Sequence, residues 1–211
     1  MAADEPQEGV VKFELRYTCT EPLEFAPLRA LNAWRTLLHR LALIGQDPLR
    51  YGGVGFGNVS QRLAGQQFAI TGTQTGALPT LGARHYALIE DCDIASNRVT
   101  ARGPIEPSSE SLTHAMLYRL GADIRCVLHV HTPRLWGCAR ALGIPITHPD
   151  VAYGTPAMAV EMERLHRAGK FARRGIVAMG GHTDGVVAFG ADVNAAGFAL
   201  LGAYVEALAQ D

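Results

Sequence analysis

The chain has 211 residues, 48% of them hydrophobic and 18% charged, enough for one domain with a substantial core or at most two small ones. Its 19 basic and 20 acidic residues are interspersed and leave a net charge of −1, so it lacks the electrostatic footprint of a protein that binds nucleic acid or an anionic membrane. No apolar run approaches the about 20 residues that cross a bilayer, and the acidic start, residues 1–6, lacks the basic and apolar regions of a secretory signal; a cytoplasmic location is expected.

Residues 1–9 read as a disordered tail and residues 10–211 as one domain with strands and helices interspersed. Val11, Phe13, Leu15 and Tyr17 alternate with Lys12, Glu14 and Arg16, the pattern of a strand with one covered face. From Pro27 to Ile44 the apolar Leu28, Leu31, Trp34, Leu38 and Leu41 fall at helical spacing, and Gly45 ends the helix. Tyr51 to Ser60 then packs four glycines into six residues before a strand. That run is either a tight turn or bare backbone that a ligand can approach, with Asn58 as a polar contact. Phe68–Thr71 reads as a strand entering the loop Gly72-Thr73-Gln74-Thr75-Gly76; its hydroxyls and backbone N–H groups suit an anion, although a plain turn explains them equally. Short strands are expected at Tyr86–Glu90 and Arg98–Ala101.

Glu106-Pro107-Ser108-Ser109-Glu110 opens a helix with a hydroxyl cap, and Leu112, Ala115, Met116 and Leu120 share its apolar face. Arg125 to His131 is an apolar strand carrying two histidines. Alternation turns Val127, His129 and His131 to one face and Cys126, Leu128 and Val130 to the other. A helix from Pro133 to Leu142 follows, then one from Pro156 to Ala168 with Val160, Met162 and Leu165 apolar. Strands at Gly175–Met179 and Gly185–Phe189 flank a turn holding His182, and Asp192 caps a last helix that packs through Phe198, Leu201, Val205 and Leu208.

Two imidazoles side by side on a strand can share one metal with bonds of about 2.0–2.1 Å, or can simply end a buried strand. His182, aimed from a glycine-flanked turn, would complete three neutral ligands and leave one tetrahedral position open, the form of a catalytic site. Glu110, in the first helical turn beside Ser108 and Ser109, is either an acid/base held ionised by the helix dipole or a capping glutamate. The remaining five histidines read as surface or packing residues, His114 least clearly because it lies four residues after Glu110.

Taken together, Gly57-Asn58-Val59-Ser60, Ile70-Thr71 with Thr75-Gly76, Pro107-Ser108-Ser109-Glu110, His129-Val130-His131 and His182 with Gly185 resemble the class II aldolase/adducin family from Leu28 onward. The resemblance implies a three-layer α/β/α domain around a mixed, largely antiparallel sheet, assembled as a homotetramer with sites at subunit boundaries. It implies that His129, His131 and His182 bind zinc or another divalent metal, that Glu110 is the acid/base, and that Asn58, Thr75, Gly76, Ser108 and Ser109 hold a substrate phosphate. The chain departs from the sugar-phosphate aldolases in a longer loop before Gly76, in Thr183-Asp184 after the third histidine, and in His148-Pro149-Asp150 where a tyrosine proton donor is expected; Tyr153 is the nearest substitute. The implied activity is aldolase-type cleavage of a small sugar or sugar phosphate through a metal-stabilised enediolate. Epimerisation, dehydration or decarboxylation at the same centre is the alternative, and Glu110, where the epimerase carries aspartate, favours cleavage. A non-catalytic adducin-like assembly module, the third reading, is expected to lack this ligand set.

Overall fold

A computed structural model describes residues 9, 11–171 and 174–210; the expected tail over residues 1–9 lies outside them except for Gly9. In chain order the elements are β1 (Glu14–Cys19), α1 (Leu28–Arg40), β2 (Gly45–Gln46), β3 (Gly55–Phe56), β4 (Asn58–Arg62), β5 (Phe68–Thr71), β6 (Tyr86–Asp93) and β7 (Arg98–Gly103). Then follow α2 (Ser111–Leu120), β8 (Cys126–His131), α3 (Pro133–Cys138), α4 (Pro156–Arg167), β9 (Ile176–Ala178), β10 (Gly185–Gly190) and α5 (Val193–Leu208). One eight-stranded sheet runs β1-β7-β6-β5-β4-β8-β10-β9, and β2 pairs with β3 beside it. Within the large sheet β1 joins β7 in parallel, and the other strand pairs are antiparallel. This is the expected mixed, largely antiparallel sheet.

Two apolar clusters cover its two faces. Leu112, Leu117 and Tyr118 of α2 and Met158, Met162 and Leu165 of α4 pack with Phe68, Ile70, Val127 and Val187 on one side. Leu31 and Leu38 of α1, Leu135 of α3, and Val193, Ala196 and Leu200 of α5 pack with Val59, Leu128, Val130 and Val186 on the other. The expected three layers result. No helix among the described residues is long and apolar enough to cross a membrane.

Local chemistry starts the helices where the sequence places them. Thr132 and Thr155 each accept a hydrogen bond from the amide three residues on, with proline at the first helical position, and the Asp192 carboxylate accepts from the Ala195 N–H at 2.8 Å. Several boundaries differ from expectation. The first strand begins at Glu14, while α1 stops at Arg40 because Ala42 takes the left-handed conformation (φ 54°) expected of Gly45, which instead starts β2. Similarly, α3 ends at Cys138 rather than Leu142.

The hydroxyl cap of α2 is also corrected: Glu110 is itself the cap residue, and Ser108 Oγ accepts from the Glu110 amide one turn earlier. On α5 the packing face is not Phe198, Val205 and Leu208, which are 67%, 63% and 54% exposed, but Val193, Ala196, Gly197, Leu200, Ala203 and Ala207. Small residues sit inward because the helix lies tight against its neighbours; a side chain at Gly197 would run into the Trp34 ring. For the same reason of face assignment Val160 of α4 is 65% exposed, and Met158 and Ala159 are buried instead.

Candidate metal centre

Strand β8 lies between β4 and β10, with His129 opposite Asn58 and Val187, and His131 opposite Gly185. The pleat carries both imidazoles to the face covered by α2 and α4, the face Val127 shares. His182 arrives from the β9–β10 turn, whose ends are tied by His182 N–H to the Met179 carbonyl and Gly185 N–H to the His182 carbonyl. Glycine is required at 185, since a Cβ there would meet the His182 ring.

The three rings meet. Their centroids are 4.7–5.2 Å apart, and His131 Nε2 lies 2.9 Å from His182 Nε2. One nitrogen from each ring can be chosen so that all lie within 4.8 Å of one another. All three side chains are buried, and burial holds their pKa values down: His129 falls to about 3, and His131 and His182 fall well below 6.5, helped by neighbouring charges. The rings are therefore neutral at pH 7, with lone pairs to offer. Among the described residues His129 Nε2 has no hydrogen-bond partner, an orphaned buried acceptor of the kind that a cation satisfies. The donor set thus fits a divalent metal.

Asn58, expected at an anion pocket, lies with its amide nitrogen 3.3 Å from His129 Nδ1, and its Oδ1 has no partner among the described residues. Exchanging amide oxygen and nitrogen, which leaves the side-chain outline unchanged, lets Oδ1 accept the Nδ1 proton and leaves Nε2 as a ligand. Glu110 is 1% exposed, with Oε1 3.7 Å from His182 Nε2. Tyr153 is buried with its ring 4.3 Å from that of His182, and the Lys12 ammonium sits 3.6 Å above it.

A small polar pocket adjoins this cluster and brings together Asn58, Thr75, Gly76, Ser108 and Ser109 with Gly72. Gly76 lets the loop pass close to β2, since a Cβ there would collide with the Gly45 carbonyl. From behind, the buried Arg35 donates to the carbonyls of Thr75 (2.8 Å), Gly76 (3.1 Å) and Leu78. Sequence reasoning missed Arg35, although it lies on the Leu31–Leu38 stripe, where a charge is out of place.

One further group was missed. Tyr51 packs edge-on against His131 at 4.6 Å and donates to Asp184 Oδ2 at 2.7 Å. Deeper in, Ser60 Oγ contacts His114 Nδ1 (2.7 Å) and the Tyr118 hydroxyl (2.6 Å), which makes His114 a buried, hydrogen-bonded residue.

A family model described as Class II Aldolase and Adducin N-terminal domain matches residues 48–210. A methylthioribulose-1-phosphate dehydratase of Xanthomonas euvesicatoria pv. vesicatoria is 34% identical over 122 residues, 56% of this chain and 48% of the relative; the chain spans about half the length of such relatives. Among solved structures, an L-fuculose 1-phosphate aldolase superposes with a TM-score of 0.63 at 20% identity, covering 90% of this chain and 88% of that one. A sugar-phosphate aldolase from Thermotoga maritima gives a TM-score of 0.64 at 16% identity, covering 86% and 91%.

Proposed function

The chain belongs to the class II aldolase/adducin family, and from that membership we propose that it is a zinc-dependent lyase acting on a small ketose phosphate, with loss of water as its reaction. The observation that carries the reading is the meeting of three buried, neutral imidazoles with the Glu110 carboxylate, 3.7 Å from His182. Three neutral nitrogen donors suit zinc with one position left for substrate. When bound, the metal supplies Lewis-acid stabilisation of negative charge on the substrate's carbonyl oxygen.

The chain's own residues do the rest. Thr75, Gly76, Ser108 and Ser109 hold the phosphate through neutral hydroxyl and N–H donors, which fixes the substrate relative to Glu110. Glu110 removes the proton from the carbon beside the carbonyl. The C–H electron pair moves toward the carbonyl. It then expels the hydroxyl on the next carbon, which takes up the proton that Glu110 holds and leaves as water, and the enol left behind tautomerises to the diketone. Burial of the site keeps bulk water from the carbanionic intermediate.

Dehydration is preferred because a relative named for it shares 34% identity over 122 residues, whereas likeness to the aldolases is one of fold at 16–20%. Carbon–carbon cleavage, the activity that the sequence's resemblance implied, is the second reading, favoured by the glutamate at 110. The working assembly is a homotetramer, supported by the apolar surface that Phe198, Val205 and Leu208 leave exposed on α5.

The test is to incubate zinc-loaded protein with methylthioribulose 1-phosphate and fuculose 1-phosphate and follow the products by NMR. Dehydration gives one diketone product of intact carbon chain; cleavage gives two carbonyl fragments. Glu110→Gln is expected to lower turnover about 10²–10⁴-fold at unchanged metal content. No stoichiometric divalent metal in the purified protein, or full activity in Glu110→Gln and His129→Ala, overturns the proposal.

A further inference from the structure

Two ligating histidines on different elements need something to fix their separation, and the structure contains a cross-brace between those elements. We propose that Tyr51 and Asp184 form a latch that holds His131 and His182 at the spacing one cation requires, so that metal affinity depends on a pair outside the ligand set. The inference rests on the metal-site reading above.

Both residues have left-handed backbones, Tyr51 at φ 50° and Asp184 at φ 63°. Aspartate tolerates that region, but for a bulky tyrosine it is an outlier that persists only where its surroundings hold it. What holds it here is contact across 133 positions of sequence: the Tyr51 hydroxyl donates to Asp184 Oδ2 at 2.7 Å and accepts from Arg50 Nη2 at 2.7 Å. The phenol is thus engaged as both donor and acceptor, by a carboxylate on one side and a guanidinium on the other. The Arg50 guanidinium in turn lies 4.8–4.9 Å over the Tyr51 and Phe56 rings.

Each end of the latch reaches a different ligand. The Tyr51 ring meets His131 edge-on at 4.6 Å, with Phe56 at 5.6 Å filling the adjoining side. Asp184 belongs to the turn that carries His182, and its backbone carbonyl accepts from the Thr132 amide at 2.9 Å, one residue past His131. Beside the strand pairing of β8 with β10, the β9–β10 turn is therefore tied to the end of β8 by the Thr132–Asp184 backbone bond and, through the phenol, by the Asp184 side chain. Tyr51 and Asp184 act as positioning residues. Without the hydroxyl, the ring loses the bond that fixes its edge on His131, and the turn loses its side-chain tie to residue 51 while its backbone contact with Thr132 remains.

The experiment measures Zn²⁺ affinity by competition with a chromophoric chelator, together with the visible absorption band of the Co²⁺-loaded protein, in wild type, Tyr51→Phe, Asp184→Ala and Asp184→Asn. Tyr51→Phe and Asp184→Ala are expected to weaken Zn²⁺ binding about 10–100-fold and to shift the Co²⁺ band. Asp184→Asn, whose amide oxygen still accepts from the phenol, is expected to stay near wild type. The double variant is expected to lose no more than either single one. Wild-type Zn²⁺ affinity in both Tyr51→Phe and Asp184→Ala overturns the latch, as does a loss of turnover in Tyr51→Phe at unchanged Zn²⁺ affinity, which would hand the phenol to the chemistry itself. Absence of Zn²⁺ binding in the wild type overturns the metal reading instead.

Discussion

Arg35→Met probes how the polar pocket is held from behind. The Arg35 side chain is 1% exposed and donates to the carbonyls of Thr75, Gly76 and Leu78. Methionine fills similar space but offers no donor. Leu78 lies at the surface, so its carbonyl regains water, whereas Thr75 and Gly76 are buried. A buried acceptor stripped of its partner costs about 1–3 kcal/mol, hence about 2–6 kcal/mol for two. Opposing this, burial draws the Arg35 pKa below the usual guanidinium value, so removing the charge relieves some desolvation. A net loss of about 2–4 kcal/mol is expected, since the relief is partial. Urea unfolding followed by circular dichroism reads it as a lower midpoint at unchanged slope. Arg35→Lys, a point charge without the planar fork, should fall between. A loss below about 1 kcal/mol, with inorganic phosphate bound as in the wild type, would refute the view that the guanidinium supports this loop.

The metal-free protein is expected to lose stability as pH falls below about 6.5, the ordinary histidine value. Burial lowers the pKa of His129 to about 3, so between these values the unfolded chain binds more protons and stability drops by about 1.4 kcal/mol per pH unit from this group. His114, His131 and His182 are lowered in the same direction and steepen the fall. Urea midpoints at pH 7, 6 and 5 measure it, and a flat profile contradicts the burial argument. At the pocket, Gly76→Ala places a methyl against the Gly45 carbonyl and the Gly55 Cα. Calorimetric titration with inorganic phosphate should show at least about tenfold weaker binding; unchanged binding would mean that the loop does not wall the pocket.

What was legible in the sequence was what short-range periodicity encodes. The alternation through residues 126–131 placed His129 and His131 on one face, and the glycines around His182 marked the turn that brings it to them. Other features depend on pairings that no local pattern records. The parallel docking of β1 on β7, the reach of Arg35 to residues 75–78, and the Tyr51–Asp184 bond join segments 40 to 133 positions apart in sequence. The face of α5 was misread for a different reason. Large apolar residues at helical spacing suggested that Phe198 and Val205 face inward, but close approach to the neighbouring elements, α1 among them, selects alanine and glycine there. Asn58 was assigned to the pocket alone, and only the strand register reveals that it also stands opposite His129.

The placing of two histidines on one central strand has a consequence for folding. β8 is gripped on both sides by antiparallel partners, β4 and β10. A slip of one residue would exchange its two faces, carrying His129 and His131 in among Leu31, Leu38 and Leu135 and turning Leu128 and Val130 toward α2 and α4. Slipped chains would hold no complete set of three imidazoles. On the proposed metal reading, a cation bound by His129, His131 and His182 would be available only to the native register and would favour it by mass action, by RT ln(1 + [M]/Kd). The centre then serves as a gauge of strand alignment: metal stoichiometry in a refolded sample counts the molecules whose middle strand has found its place.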